Sequence, residues 1–437
     1  MKPEIYVISL GADKPKGIPG WPNAELDPKQ RAKELYQKLQ QFFQDYNFLG
    51  GELLPSSESS FDAFKERLEE KKPDGVLIFG LAIPHHSVKR FGELNTPMLW
   101  VNDLYGGDLH YLDVMEVGLQ GGWPFVALSS SRFSDIGARL RYFDVIHGLR
   151  NSRILAVRDR DYPADYLEKI KRRLGVDVIV LDHKAFNAVY KEAPDGEAKR
   201  LAERWISNAE KIIEPGFEDV FAGAKVYFTL KTLMARENAN AVTVDCLDLV
   251  YKKKIPAYPC LAFFQLNNEG STGICEGDID SALTQLIIRF LADRPGYVSD
   301  PVLDQGTGQI VYAHCVAASK MKGVNREAMP YVLRSHAEDN SGASVQVKMT
   351  PGEVMSTIKF DIKTDRISFH KGKVVGNIDT DRACRTKVAV EVDTNAVARN
   401  YQVSKFGWHR VSFYGDWETE IRELAQLMQW EFWDERK

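Results

Sequence analysis

Short apolar runs alternate with amphipathic stretches from the first residues to about position 130, and this alternation restricts the fold more than any other feature. Residues 4–11, 48–54, 75–81, 97–102 and 124–129 are β-branched or aromatic in character and are bounded by Gly, Pro, Asn or Asp. Runs of that length and composition read as buried strands. Between them, residues 28–45, 60–71 and 113–121 place apolar side chains at helical spacing. Strands separated by helices cannot pair as hairpins, so the expected product is a mostly parallel sheet with helices on its faces.

The pattern restarts after Gly148 and Leu149. Residues 153–157 and 177–181 read as strands flanking a charged helix at 163–174, followed by a long helical tract at about 196–238. Residues 241–244 and 261–266 read as two further buried strands, 267–278 as a loop, and 279–291 as a helix. Beyond Arg294, Pro295 and Gly296 the texture changes. From Val298 to Phe413 strands alternate with turn residues, which suggests an antiparallel barrel or sandwich, and a helix is expected at 417–430. The expected fold is therefore α/β: two Rossmann-like α/β domains, 1–148 and 149–295, followed by a mixed β-barrel-like domain, 296–437.

Composition narrows the function classes. Of 437 residues, 57 are Lys or Arg and 61 Asp or Glu, a net charge of −4 that offers no global attraction to nucleic acid or anionic membrane. No apolar run approaches the roughly 18 residues that would span a bilayer, and the apolar stretch at 5–10 is too short for a secretory signal core. Five cysteines without a C-x-x-C pair argue against a disulfide framework or a thiolate zinc site. A cytoplasmic protein with reduced thiols is expected. There is no Walker A loop, no third glycine of a dinucleotide fingerprint after Gly306 and Gly308, no G-x-S-x-G and no H-E-x-x-H.

The informative segment is Asn267–Asp278, NNEGSTGICEGD, which precedes a helix. Ligands in open α/β sheets bind beyond the carboxyl ends of strands. Carboxylates and amides there suit a hydrated cation or a polyol, with glycines admitting the ligand to the backbone. Acids that merely cap a helix account for the same residues.

Cys275, Glu276, Gly277 and Asp278, then a helix, then Val298, Ser299, Asp300 and Pro301, resemble the L-fucose and L-arabinose isomerase family, the fucose branch in particular. In that family a glutamate at a helix start, an aspartate on the next strand and a late histidine share one divalent metal. Asp300 follows Glu276 by 24 residues, and Gly407, Trp408, His409, Arg410 and Val411 stand where the histidine segment is expected. The resemblance implies Mn²⁺ (or Mg²⁺ or Co²⁺) held by Glu276, Asp300 and His409, with Glu276 and Asp300 as the acid/base pair. It implies aldose–ketose isomerisation of a free sugar such as L-fucose, D-arabinose or L-arabinose, and a homo-oligomer, trimeric or hexameric. A mixed carboxylate and imidazole set with exchangeable positions suits such cations.

His314, in a His-Cys pair similar to one in some branches of the family, is a candidate fourth metal ligand or sugar contact; Trp408, as a stacking ring, and Asn268 and Glu269 are further candidate sugar contacts. Each has a bland alternative in packing or capping. His336 is expected in a solvated loop, His85 and His86 at a helix start, Asp245 and Asp248 as hydroxyl contacts or turn caps, and Lys252–Lys254 in a solvated turn. A non-catalytic sugar-binding protein, and a metal-assisted sugar epimerase or hydrolase on the same scaffold, remain open on the residues alone.

Overall fold

The computed structural model describes residues 2–12, 16–55, 57–82 and 88–437, so His85 and His86 fall outside the described residues. The chain forms two compact units. One comprises residues 1–147 with 419–431, the other 148–418 with 432–437.

In the first unit, β1 (Glu4–Leu10), α1 (Pro28–Phe42), β2 (Asn47–Leu54), α2 (Glu58–Lys71), β3 (Gly75–Gly80), β4 (Met98–Asn102), α3 (Asp108–Gln120), β5 (Phe125–Ser129) and α4 (Asp135–Arg150) succeed one another. The sheet order is β2-β1-β3-β4-β5, parallel throughout. Nearly every residue of β1, β3 and β4 is buried. Helices on both faces leave no water-facing side and hence no polar alternation, as expected for such sheets.

The second unit opens with β6 (Arg153–Val157), α5 (Ala164–Leu174), β7 (Asp177–Leu181), α6 (His183–Lys191), α7 (Asp195–Asn208), β8 (Lys211–Ile212) and α8 (Phe217–Arg236). Then come β9 (Ala241–Val244), α9 (Cys246–Tyr251), α10 (Cys260–Asn268), β10 (Thr272–Cys275) and α11 (Ile279–Ala292). Strands β10-β9-β6-β7 form a second parallel sheet. The expected helical tract is two helices, with β8 and the Pro215-Gly216 pair between them.

The remaining strands are β11 (Tyr297–Asp304), β12 (Gln309–His314), β13 (Tyr331–Arg334), β14 (Ser344–Val347), β15 (Val354–Asp361), β16 (Arg366–Asn377) and β17 (Thr386–Glu391). After α12 (Thr394–Asn400) and α13 (Val403–Phe406) come β18 (Arg410–Tyr414), α14 (Glu418–Leu427) and β19 (Glu431–Asp434). The order β15-β18-β11-β12-β17-β16 is antiparallel, and pairing of β15 with β16 closes it into a barrel, with β19 added beside β16. Closure removes the exposed strand edges an open sheet would carry. The α/β fold class with parallel sheets first and a β-rich closure last is thus as the sequence predicts.

One element differs in kind. Residues 261–266, read as a strand, belong to helix α10, and the strand is β10, inside what reads as a loop. Leu261, Phe263, Phe264 and Leu266 are all buried, as are Asn267 and Asn268, so the helix has no polar face to disclose its period. A Cβ at Gly273 would lie 2.7 Å from the Phe263 ring, so this glycine is what lets β10 lie against α10.

Candidate functional site

Strand β10 ends at Cys275, and the chain must then turn into α11. Glu276 and Gly277 make that turn with φ of 65° and 67°, both left-handed. Gly277 adopts this without cost, whereas a glutamate does not, so the strain sits on a residue whose carboxylate is thereby placed over the end of the parallel sheet. The turn is held by the Gly277 N–H donating to Val244 O at 3.1 Å and by the Tyr162 hydroxyl donating to Gly277 O at 2.6 Å. Asp278 then caps α11, accepting the Ser281 N–H at 2.9 Å.

The barrel supplies the other groups through its register. Asp300 on β11 lies opposite Ala313 on β12, and Ser299 lies opposite Arg410 on β18. His409, next to Arg410, is therefore set beside Asp300, while His314 follows Ala313 at the end of β12. His409 Nε2 is 3.4 Å from Asp300 Oδ1 and 3.5 Å from Glu276 Oε2, and His314 Nε2 is 3.5 Å from Glu276 Oε1. The two imidazoles are 5.4 Å apart, edge to face. Glu276, His314 and His409 can each present a ligand atom within 4.8 Å of the others.

The hydrogen bonds distinguish the two histidines. His409 Nδ1 is 2.9 Å from Asp278 Oδ2, which accepts only, so Nδ1 carries the proton and the Nε2 lone pair faces Glu276 and Asp300. Oxygens of Glu276 and of Asp300 thus each face His409 Nε2, whereas the set whose ligand atoms all lie within 4.8 Å of one another is Glu276, His314 and His409, without Asp300. In His314 the arrangement is reversed. Its Nδ1 accepts the Cys315 N–H at 3.0 Å, so the neutral ring carries its proton on Nε2. That nitrogen is buried and has no hydrogen-bond partner among the described residues, since Glu276 at 3.5 Å is too far for a full bond.

Electrostatics separate the carboxylates. Burial pushes Glu276 up, but His314 and His409 together outweigh it and hold the group below its usual range. Burial raises Asp300, with the histidines opposing only in part. Burial lowers His314, yet Glu276 beside it wins and brings the ring up to about 9, a charge that works against the Cys315 N–H contact to Nδ1, which needs the neutral ring. Asp278, although buried, is held well below the carboxylate range by the Lys359 ammonium and His409. Lys359 donates to Asp278 Oδ2 at 2.7 Å and to Ser281 Oγ at 2.5 Å.

Asp278 and Lys359 adjoin the candidate residues, and the sequence reading gave neither a role. The available signal was a single lysine within the apolar strand 357–360, where Ile358, Lys359 and Phe360 are all buried. Buried lysines are rare without a partner.

The other candidates lie apart. Asn268 ends α10, and its side-chain oxygen accepts from Lys320 N at 2.9 Å and Ser319 Oγ at 3.2 Å. Glu269 accepts from Tyr227, Lys231 and Gln265. Both precede β10 and Glu276 follows it, so about 13 Å of strand separates the two ends. Trp408 directly precedes His409 but its side chain is 64% exposed. Asp245 is buried and accepts from Arg160 at 3.1 Å, and its Cβ lies near the Gly277 turn. Asp248 binds Lys252, and Lys254 binds Asp159. His336, expected in a solvated loop, is instead buried and stacked on Tyr258 with ring centroids 4.0 Å apart. A polar run conceals such burial because the aromatic partner is distant in sequence.

No family model matches the chain. It is similar to the sulfoquinovose isomerases of Priestia aryabhattai and Priestia megaterium, each 24% identical over 290 residues. The match spans 62% of this chain and 62% of the length of each relative. Among solved structures, a PurR family transcriptional regulator from Vibrio parahaemolyticus covers 55% of the chain and 80% of its own at 13% identity, with a TM-score of 0.16. A XylFII–LytSN complex covers 58% and 85% at 10% identity, with the same TM-score. Scores of that size carry no argument about this chain.

Proposed function

We propose that the chain is a metal-dependent aldose–ketose isomerase acting on a free sugar by proton transfer. The observation that carries this reading is the meeting of Glu276, His409 and His314, with Asp300 at 3.4 Å from His409 Nε2. This set fits a hard divalent cation such as Mn²⁺, and the similarity to sugar isomerases supports the same direction. When bound, the cation supplies Lewis acidity at the sugar carbonyl.

The residues of the chain account for the rest of the chemistry. Aldose–ketose exchange removes a proton from the carbon beside the carbonyl and returns one to the former carbonyl carbon. The C–H electrons form the carbon–carbon double bond of an enediol, and the carbonyl electrons move to oxygen. Glu276, held ionised, removes the proton, and Asp300, whose proton affinity is raised by burial, takes part in its return. His314 presents its Nε2–H to a sugar oxygen, which gives that buried donor the partner it lacks in the free chain. Asp278 fixes the tautomer and orientation of His409, as carboxylates do for metal-ligating imidazoles.

A trimeric or hexameric cytoplasmic enzyme belongs to the same reading. No described helix is long and apolar enough to cross a membrane. The test is incubation of the purified chain and Mn²⁺ with a panel of free aldoses, L-fucose, D-arabinose, L-arabinose and a 6-sulfonated hexose included, followed by assay of ketose. Ketose from at least one sugar, abolished by chelation, is expected. No ketose from any of them, at full metal occupancy, rejects the reading. Light scattering that shows a fully active monomer rejects the assembly.

A further inference from the structure

The first unit contains a crevice that the isomerase reading does not use. It has a volume of about 290 Å³ and lies over the carboxyl ends of β3, β4 and β5, the edge at which open α/β sheets bind ligands. That volume is near the lower end of small-molecule sites and suits a ligand of monosaccharide size. The floor is apolar, from Phe79, Val101, Leu128 and Ile136, whereas the rim carries Arg31, Lys38 and Arg132 against one carboxylate, Asp103.

The cations are not equivalent. Arg31 binds Asp103 through two nitrogens, at 2.7 and 2.9 Å, and so ties α1 to the loop after β4. Arg132 reaches Asp135 at 3.1 Å but remains largely exposed. The Lys38 ammonium lies 4.3 Å from the Phe133 ring centroid and pairs with no carboxylate among the described residues. Ser130 and Ser131 stand beside it in the loop that leads into α4. Asn102 is buried on the crevice wall, with its amide nitrogen donating to Asp108 and Ser129. Its oxygen has no hydrogen-bond partner among the described residues. That oxygen is closed to solvent and lies beside Gly107, so it is not offered to the crevice.

We propose that this crevice is a second small-molecule site, which takes a molecule of monosaccharide size bearing one oxyanionic group, a phosphate ester, sulfonate or carboxylate. Lys38 and Arg132 receive the anion, with Ser130 and Ser131 beside them in the lining. The proposal goes beyond the isomerase reading and uses none of its residues.

The test is calorimetric titration of the purified full chain with glucose 6-phosphate, glucose 6-sulfonate, glucose and inorganic phosphate. Both anionic sugars should bind, and glucose at least about tenfold more weakly. Inorganic phosphate competing with them would identify the oxyanion as the main determinant and would support the site. Lys38→Gln and Arg132→Gln should each weaken the anionic sugars by about tenfold or more, and Lys38→Arg should retain binding. Glu276→Gln and His409→Gln, which address the metal centre, should leave this binding in place. No binding of either anionic sugar, or loss of it in the metal-centre variants rather than in the Lys38 and Arg132 variants, overturns the proposal and leaves the isomerase reading to its own assay.

Discussion

Asp278 Oδ2 lies 2.9 Å from Nδ1 of His409 and 2.7 Å from the Lys359 ammonium, so one carboxylate both orients the imidazole and neutralises a buried lysine. Asp278→Asn keeps the shape but offers His409 a weaker acceptor and leaves Lys359 without its counter-charge. Metal affinity should fall about 10–100-fold, as for other partners of ligating histidines. Titration of apo-protein with Mn²⁺ checks this. An unchanged affinity would mean that His409 needs no fixed tautomer.

The two histidines should respond differently to substitution. His409→Gln should lose bound metal, because the Nε2 lone pair faces the two carboxylates. His314→Gln should keep metal, because His314 Nε2 bears a proton, yet turnover should drop by roughly 10²–10⁴-fold with the loss of a positioned donor. Elemental analysis beside steady-state rates separates the cases. Metal loss in the His314 variant would reverse the assignment.

Isomerisation in D₂O should place deuterium on the product carbon that receives the proton, because a carboxyl group holds that hydrogen between the two carbons and exchanges with water. Direct hydride transfer gives no solvent label. Glu276→Gln and Asp300→Asn should each lower turnover by about 10²-fold or more. Mass spectrometry of product formed at slow turnover decides the matter; unlabelled ketose throughout would falsify the enediol route.

Asp280 supplies a pH test away from the metal. It is buried, accepts the Tyr166 hydroxyl at 2.7 Å, and is pushed up to about 7, chiefly by burial. Its native pKa thus exceeds the unfolded value. Its contribution to stability is complete below about pH 4 and is lost progressively as pH rises to about 7. Asp280→Asn, which cannot ionise, should melt above the parent protein at pH 8, with a difference that shrinks toward pH 5. Melting curves at the two pH values measure it, and a larger difference at pH 5 would contradict the sign.

Arg410 and Glu435 form a wholly buried ion pair, with two guanidinium nitrogens on Glu435 Oε1 at 2.7 and 3.0 Å and His370 on the other oxygen at 2.6 Å. Glu435→Gln leaves the Arg410 charge uncompensated next to His409. Loss of about 3–5 kcal/mol is expected, read from denaturant unfolding. A change under 1 kcal/mol would show that the pair is dispensable.

The strands of the parallel sheets other than β10 were readable because they form short apolar runs bounded by turn residues. The barrel strands were readable because turn residues interrupt them at short intervals. Glu276, Asp300 and His409 were singled out by a resemblance in order and spacing, since nothing in local composition sets one histidine apart, and the structure puts both carboxylates within 3.5 Å of His409 Nε2. Helix α10 was misread because total burial erases the period that separates helix from strand.

Local sequence thus determined which segments form elements and where the chain turns, because periodicity, Gly and Pro act over a few residues. The tertiary structure alone decided what stands beside what. Barrel register brings His409 beside Asp300, and packing of α11 on β15 brings Lys359 to Asp278. Which nitrogen of each histidine holds its proton follows from those contacts. The physical reason is that a side chain's chemistry is set by the charges and donors within a few ångströms, and these come from residues tens to more than a hundred positions away in the chain.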